Sequence, residues 1–170
     1  MNWSAKGAEK PEIKLPENWK IVRFPELPDA TDHWLDIVSH GLTSHKNGPE
    51  YYQSCMVNHA GYKETDCFFI LVDGRPAATV AVICNDEIKD GYIHMVACKE
   101  EFRGLGIGNL MGDIVVKELL DRGMETAWLT TDDFRIPAIK SYLRSGFVPD
   151  ESTLGFRERW DKIRDVINVG

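Results

Sequence analysis

Arg103-Gly104-Leu105-Gly106-Ile107-Gly108 lies between two apolar segments whose spacing differs. Residues 92–98 before it form a short apolar run of strand length, whereas residues 107–120 after it carry apolar side chains at helical spacing. The order therefore predicts a strand, a glycine loop and a helix. Glycines let the backbone approach a ligand closely, and the first amides of a helix have no partner within it. Such a loop predicts a site for phosphate or pyrophosphate.

Several nucleotide-binding loops share these glycines. A dinucleotide fingerprint requires a third glycine at position 109, which is Asn109, and no βαβ unit opens the chain. The Gly-Lys-Ser/Thr of a Walker loop is also missing. The pattern that fits is Arg/Gln-x-x-Gly-x-Gly/Ala, filled by Arg103, Gly106 and Gly108. It resembles the acyl-CoA loop of the GNAT superfamily of N-acetyltransferases, although glycine loops also serve as ordinary turns.

Composition limits the class of protein. The 170 residues, 43% of them hydrophobic and 28% charged, predict one globular domain over residues 1–170, with residues 1–17 as a poorly ordered arm. A formal charge of −7 argues against nucleic-acid binding, and it suits a cationic amine, although many acidic proteins have no such partner. The four cysteines show no C-x-x-C spacing, so no metal is expected. No apolar run is long enough to cross a membrane, which leaves the cytoplasm as the expected location.

The remaining elements follow from periodicity and turn residues. Asp73-Gly74 between two apolar runs predicts a type I′ hairpin, and the run at 92–98 extends it to a three-stranded antiparallel meander. Glycines at 123 and 146 are expected to end two helices, the second of which contains Pro137 in its first turn. Other expected elements are strands at 19–24, 127–131 and 147–148, helices from 32, over 50–60 and over 156–169, and a loop at 46–49.

A second motif strengthens the resemblance. Residues 138–147 match the Ala-x-x-x-Tyr-x-x-x-Gly-Phe motif of the GNAT family, with Tyr142 similar to the residue that contacts the CoA sulfur. The resemblance implies an α/β protein of the α+β type, with a central mixed, mostly antiparallel sheet, splayed strands and flanking helices. Two departures stand out: Arg135 occupies a position where members often carry Asn, and the chain ends in a helix where many members form a β-hairpin. Arg135 is either a ligand of a CoA phosphate or a solvated residue at a helix start.

The family resemblance also assigns the co-substrate site. It implies acetyl-CoA, with the pyrophosphate on the loop and the pantetheine arm against backbone groups of the preceding strand, where one N–H polarises the thioester carbonyl. Strand alternation predicts that Tyr92, His94, Val96 and Cys98 share one face of that strand. The residues implied to bind acetyl-CoA are Val96, Ala97, Cys98, Arg103, Gly104, Leu105, Gly106, Ile107, Gly108, Asn109 and Arg135.

A histidine and a tyrosine are the candidates for proton transfer. Only about one lysine-like amine in ~10³ is neutral at pH 7, so a base contributes to the rate. His94 lies nine residues ahead of Arg103, a spacing at which arylalkylamine N-acetyltransferases carry a histidine. Its alternative role is that of a hydrogen-bonded strand residue. Tyr142 is the candidate acid for the leaving thiolate, and its alternative role is that of a core aromatic residue.

The combined hypothesis is an N-acetyltransferase that moves an acetyl group from acetyl-CoA to a primary amine by direct transfer, without a cysteine nucleophile. The amine belongs to a small molecule or a peptide, and the protein is expected to be a monomer or homodimer. The rival hypothesis is a non-catalytic acyl-CoA sensor or interaction domain of the same fold. Retention of Tyr142 and His94 favours the enzyme.

Overall fold

The computed structural model describes residues 1–43 and 47–168, and its centre is one six-stranded sheet. The strand order is β1-β6-β5-β4-β3-β2, and every pairing is antiparallel except the parallel pair β5–β6. The mixed, mostly antiparallel sheet is therefore confirmed. The strands are β1 (Asn2–Ser4), β2 (Trp19–Arg23), β3 (Cys67–Val72), β4 (Arg75–Asn85), β5 (Asp90–Cys98) and β6 (Thr126–Trp128).

Helices cover both faces of this sheet. The helices are α1 (Ala30–Ser39), α2 (Pro49–Tyr52), α3 (Ile107–Asp121), α4 (Ile136–Arg144) and α5 (Phe156–Asn168). Side chains of α3, α4 and α5 share one core with one face of the sheet, and α1 and α2 share a second core with the other face. Because β3 contributes alternate residues to both cores, it is a continuous apolar run in the sequence.

The turns predicted from glycine are present. Asp73 and Gly74 have φ values of 50° and 73°, as a type I′ turn between β3 and β4 requires. Gly123 (φ 68°) follows the end of α3, and Gly146 (φ 86°) follows the end of α4. Their left-handed backbone closes each helix, because glycine adopts that conformation without a Cβ penalty.

Several predicted boundaries differ from the structure. The expectation of a poorly ordered arm is wrong at its start, because Asn2–Ser4 pairs with β6 and the indole of Trp3 is buried. The strand expected at 127–131 is limited to Thr126–Trp128, and the one at 147–148 is a single bridge between Val148 and Asn2. The helix expected over 50–60 is α2 continued by a π-helical turn, Gln53–Val57. The expected loop residue Lys46 and the helix residue Val169 lie outside the described residues.

A bulge in β5 separates residues that were predicted to share a face. Thr79 pairs with Ala97 and Ala81 pairs with His94, so three steps along β5 oppose two along β4. Met95 within this interval has a φ of 50°, which is uncommon for a residue with a side chain. The prediction that His94 shares a face with Val96 and Cys98 is therefore wrong. His94 faces the side of α2, whereas Val96 and Cys98 pack toward the α3 core.

The sheet also opens beside β5. The ladder between β5 and β6 covers only residues 90–92 of β5 and ends at the pair Tyr92–Trp128. In the described part of the chain, β5 continues to Cys98 with no strand on that side. The strands therefore part at Tyr92, as the family resemblance implied, and the carboxyl-terminal half of β5 is left beside α3 and α4.

Candidate active site

A cavity of about 470 Å³ lies between β5, the start of α3 and α4. A volume of this size is typical of small-molecule and cofactor sites. Ten of the eleven residues predicted to bind acetyl-CoA line it, together with Tyr142; the eleventh, Leu105, does not line it and is 54% exposed. His94, the predicted base, does not line it. Segments 96–98, 103–109 and 135–142, distant in sequence, thus meet around one space.

The loop before α3 presents backbone donors to this cavity. Gly104 and Gly106 have φ values of 80° and 86°, and Gly106 caps α3 without any side-chain hydrogen bond to the helix end. Among the described residues, no acceptor pairs with the backbone N–H groups of residues 104–108. Consecutive unpaired amides at the positive end of a helix dipole fit a pyrophosphate. A side chain at Gly106 would meet open space, which is the space a ligand would use.

Tyr142 reaches the same cavity from α4. Its ring packs edge-on against Phe147, with ring centroids 6.2 Å apart. Its hydroxyl has no hydrogen-bond partner among the described residues. Burial raises the pKa of Tyr142 to about 12, and the nearby charge of Arg135 acts in the opposite direction. The phenol therefore keeps its proton at neutral pH and faces the cavity as an available donor.

Small residues hold α4 close to α3. A Cβ built on Gly108 would lie 2.9 Å from Ser141 Oγ, and one on Gly112 would lie 2.0 Å from Ser145 Oγ. The missing side chains let the helices approach, and this approach sets the position of Tyr142 relative to the loop. Gly108 therefore serves helix packing as well as the loop. The matching serines escaped the sequence analysis, although their spacing of four residues repeats the spacing of the two glycines.

Arg103 and Arg135, both predicted to bind acetyl-CoA, hold a strap at the mouth of the cavity. The strap is residues 40–42, which follow α1 and line the cavity. The Arg103 guanidinium donates to the carbonyl of His40, and Arg135 Nη1 donates to the carbonyl of Gly41 at 2.9 Å. Arg135 Nε also donates to Asp132 at 2.8 Å. A guanidinium has five N–H donors, so both arginines keep donors for an anion.

Cys98 shows how the cavity treats a thiol. Its side chain lines the cavity, and burial raises its pKa to about 11, with a smaller opposing effect from Arg103. A thiol with this pKa is almost entirely protonated at neutral pH and is a poor nucleophile. All four cysteines are free. Cys98, which lines the cavity, is therefore poorly suited to act as a nucleophile.

His94 lies on the other face of the sheet. Its Nε2 is 3.0 Å from the carbonyl oxygen of Cys55, and its Nδ1 is 3.0 Å from the hydroxyl of Tyr92. Burial lowers the pKa of His94, the hydrogen bond to Cys55 raises it, and His59 lowers it. The net decrease keeps the ring neutral at pH 7. Tyr92, which the sequence analysis did not assign, is thus the direct partner of the predicted base.

Two acidic residues after β6, Asp132 and Asp133, form ion pairs with arginines. Asp133 accepts two hydrogen bonds from Arg159 of α5, at 2.7 and 2.9 Å, and Asp132 pairs with Arg135.

Within residues 1–43 and 47–168, no group of three or more His, Cys, Asp or Glu side chains is placed to hold a metal ion. None of the helices described here has the length and apolar character that crossing a bilayer requires.

Known proteins resemble this chain in sequence and in fold. Mycothiol acetyltransferase of Streptomyces coelicolor is 24% identical over 155 residues, which are 89% of this chain and 50% of the relative. Mycothiol acetyltransferase of an Arthrobacter species is 26% identical over 174 residues, with coverage of 95% of this chain and 49% of the relative. The chain thus spans about half the length of these curated relatives.

Two solved structures share the fold at low identity. The ribosomal-protein-S18-alanine N-acetyltransferase of Escherichia coli superposes with a TM-score of 0.64 and 17% identity, over 78% of this chain and 79% of its own. A GCN5-related N-acetyltransferase of Sphaerobacter thermophilus superposes with a TM-score of 0.67 and 19% identity, over 85% of this chain and 45% of its own. The sequence model of the acetyltransferase (GNAT) family matches residues 31–147, from α1 through α4. With the glycine loop, the parted strands and Tyr142 all inside the matched region, the chain belongs to the GNAT acetyltransferase family.

Proposed function

We propose that this chain transfers an acetyl group from acetyl-CoA directly to a primary amine. The observation that carries the proposal is the single cavity that joins the unpaired loop amides to the free hydroxyl of Tyr142. The loop supplies the anion site, and the tyrosine supplies a proton about where a thioester would react. A purely structural turn would have no need of a tyrosine hydroxyl in the same space.

The residues around the cavity fit acetyl-CoA. The amides of residues 104–108 would hold the pyrophosphate, and the remaining donors of Arg103 and Arg135 would add charge-assisted hydrogen bonds. Backbone groups of residues 96–98 would contact the pantetheine arm in the opening beside β5. Acetyl-CoA would supply the activated acetyl group. An N–H of β5 aimed at its carbonyl would stabilise negative charge there.

Tyr142 can protonate a thiolate that leaves inside this cavity. Burial raises the pKa of Tyr142 to about 12, above the ~8.5 of an ordinary thiol in water. Burial also raises the pKa of the Cys98 thiol in the same cavity. A CoA thiolate leaving there would be more basic for the same reason, which makes its protonation by Tyr142 less unfavourable.

The acceptor amine has to lose a proton before it attacks. Protonated amine predominates at pH 7, and the scarcity of the neutral form corresponds to roughly 4–5 kcal/mol. His94 is the base in this proposal, because its lowered pKa keeps it in the proton-accepting form at neutral pH. Its position on the face opposite α3 fits an amine that approaches through the opening beside β5.

The finer properties belong to the same proposal. The acceptor is the amine of a small molecule or a peptide, the reaction is cytoplasmic, and the protein acts as a monomer or homodimer. Four free cysteines fit a reducing compartment. The names of the relatives supply acceptors of both kinds to test: mycothiol acetyltransferase points to a small molecule, and the ribosomal-protein-S18-alanine enzyme points to a protein terminus.

Acetyl-CoA-dependent thiol release over an amine panel tests the proposal. The panel contains polyamines, arylalkylamines, amino acids, the acceptors of mycothiol acetyltransferases and peptides with amino-terminal alanine. We expect calorimetric binding of acetyl-CoA, slow release of CoA thiol without an amine, and faster release with at least one amine. Binding of acetyl-CoA with no acceleration across the panel would contradict the enzyme and favour an acyl-CoA sensor. Absence of binding would contradict the assignment of the cavity.

A further inference from the structure

Both ring nitrogens of His94 already have hydrogen-bond partners. The carbonyl oxygen of Cys55, 3.0 Å from Nε2, can only accept, so Nε2 carries a hydrogen. The neutral ring then has its lone pair on Nδ1, and the hydroxyl of Tyr92, 3.0 Å away, donates to it. The hydrogen bonds thus fix one tautomer and leave no nitrogen of His94 open to an incoming amine.

The end of the π-helical turn reserves the carbonyl of Cys55 for this contact. The backbone bonds that follow run from Asn58 N to Gln53 O and from His59 N to Met56 O, at 2.9 and 3.0 Å, and they pass over Cys55. In the described part of the chain, this carbonyl oxygen accepts its hydrogen bond from His94 Nε2. A protonated His94 would keep the same bond, so the ring does not have to turn when it gains a proton.

Tyr92 lies at the opening between β5 and β6, through which an amine would approach. It is the last residue of β5 that pairs with β6, so its ring lies at the point where the strands part. Its ring stacks on Trp128, with centroids 4.1 Å apart, and on His59 at 5.2 Å. Trp128 is 41% exposed, so solvent and ligands reach this cluster. A hydroxyl that donates to Nδ1 still has lone pairs with which to accept.

We propose that Tyr92 is the residue that takes the proton from the acceptor ammonium, as it passes its own hydroxyl proton to Nδ1 of His94. This inference rests on the proposed acetyl transfer. One N–H bond of the ammonium breaks and an O–H bond forms on Tyr92, while the former O–H proton becomes an N–H on His94. The freed amine lone pair then forms the bond to the acetyl carbon, and the carbon–sulfur bond breaks.

The protons balance over the whole turnover. The departing sulfur takes the proton of Tyr142, and the second amine proton, released as the amide forms, restores Tyr142. His94 returns its extra proton to solvent, so acetyl-CoA and an ammonium give an amide, free CoA thiol and one proton. Among the described residues, the titratable side chains in contact with His94 are Tyr92 of β5 and His59, which follows the π-helical turn; Cys55 contacts His94 through its backbone carbonyl. A charged His59 would oppose the charge on His94.

Tyr92→Phe tests the relay, because it removes one oxygen and keeps the ring that stacks on Trp128. With the best amine of the panel, we expect kcat/KM at pH 7 to fall by about 10³-fold for a lysine-like amine, with unchanged acetyl-CoA affinity and thermal stability. The acid limb of the wild-type profile, expected below pH 6.5 because the pKa of His94 is lowered, should disappear. The rate should instead rise tenfold per pH unit and meet the wild type near the pKa of the amine. The double variant Tyr92→Phe/His94→Gln should be no slower than the slower single variant.

The matched control is Tyr62→Phe, which also removes a single phenol oxygen. The hydroxyl of Tyr62 lies 3.0 Å from that of Tyr52, and neither residue belongs to the proposed relay. It should leave the pH profile unchanged. A Tyr92→Phe enzyme with wild-type rate and acid limb would overturn the relay while acetyl transfer stands. A wild-type enzyme that acetylates no amine would instead overturn the proposed function. Nitrogen NMR gives a readout independent of activity: a neutral His94 protonated at Nδ1 would also overturn the relay.

Discussion

Tyr142→Phe removes one oxygen from the cavity and leaves the ring against Phe147. The leaving thiolate then has no protein acid. A thiol with a pKa of ~8.5 favours its protonated form at pH 7 by about 2 kcal/mol, and burial in this cavity, which raises the pKa of the Cys98 thiol, increases that preference. Water entering the vacated space supplies part of the proton transfer. We therefore expect kcat to fall by about 10²-fold, the lower part of the range for general acid catalysis.

Steady-state thiol release at saturating amine measures this change, and calorimetry measures acetyl-CoA affinity separately. The hydroxyl acts on the leaving group, so affinity should change little while kcat falls. Tyr62→Phe again serves as the control, and it should keep the wild-type kcat. Full turnover in Tyr142→Phe would refute the assignment of Tyr142 as the acid. A weaker affinity with unchanged kcat would instead make Tyr142 a binding residue.

Three other substitutions test the framework of the site. Gly106→Val places a side chain in the ligand space at a φ of 86°, so acetyl-CoA binding should be lost while circular dichroism stays native; normal binding would move the anion site elsewhere. Gly112→Ala should cost about 1–3 kcal/mol in denaturant unfolding, because its Cβ lies 2.0 Å from Ser145 Oγ. Adding Ser145→Gly should recover part of that loss, and no loss at all would refute the close approach of the helices. Arg135→Lys should weaken acetyl-CoA binding about tenfold in calorimetry, whereas Arg144→Lys, whose guanidinium pairs with Asp113, should not; equal effects would remove Arg135 as a phosphate ligand.

The parts of the fold that follow local rules were predictable from the sequence. Asp73-Gly74 specifies its turn because type I′ geometry requires positive φ at both residues. Gly123 and Gly146 mark helix ends for the same conformational reason. The loop and the motif around Tyr142 were found because close backbone approach and helix packing restrict the residue types at fixed spacings. These features depend on neighbours within a few positions.

Features that depend on distant partners were missed. The bulge at Met95 has no glycine or proline to mark it, and its consequence is that His94 and Val96 face opposite sides of the sheet. Asn2–Ser4 forms a strand only because β6 offers an edge more than a hundred residues later. The position of the strap, residues 40–42, depends on hydrogen bonds from Arg103 and Arg135, which approach from two other elements. Periodicity within a segment contains no information on such pairings.

The partnership between Tyr92 and His94 was only half visible. Two polar residues spaced two apart on a strand share a face, so their proximity follows from the sequence. The direction of their hydrogen bond does not, because it depends on the carbonyl of Cys55, which a π-helical turn places beside His94.

Rapid-quench mass spectrometry with isotopically labelled acetyl-CoA tests direct transfer most directly. The intact protein and the amine are weighed at intervals through a single turnover. Direct transfer predicts that the labelled acetyl group appears on the amine at the rate of CoA release, with no acetylated protein at any time. It predicts the same for a Cys98→Ala variant, because the raised pKa of that thiol keeps it out of the reaction. An acetylated protein that forms and decays during the turnover would contradict the account, and so would CoA release without a labelled amine.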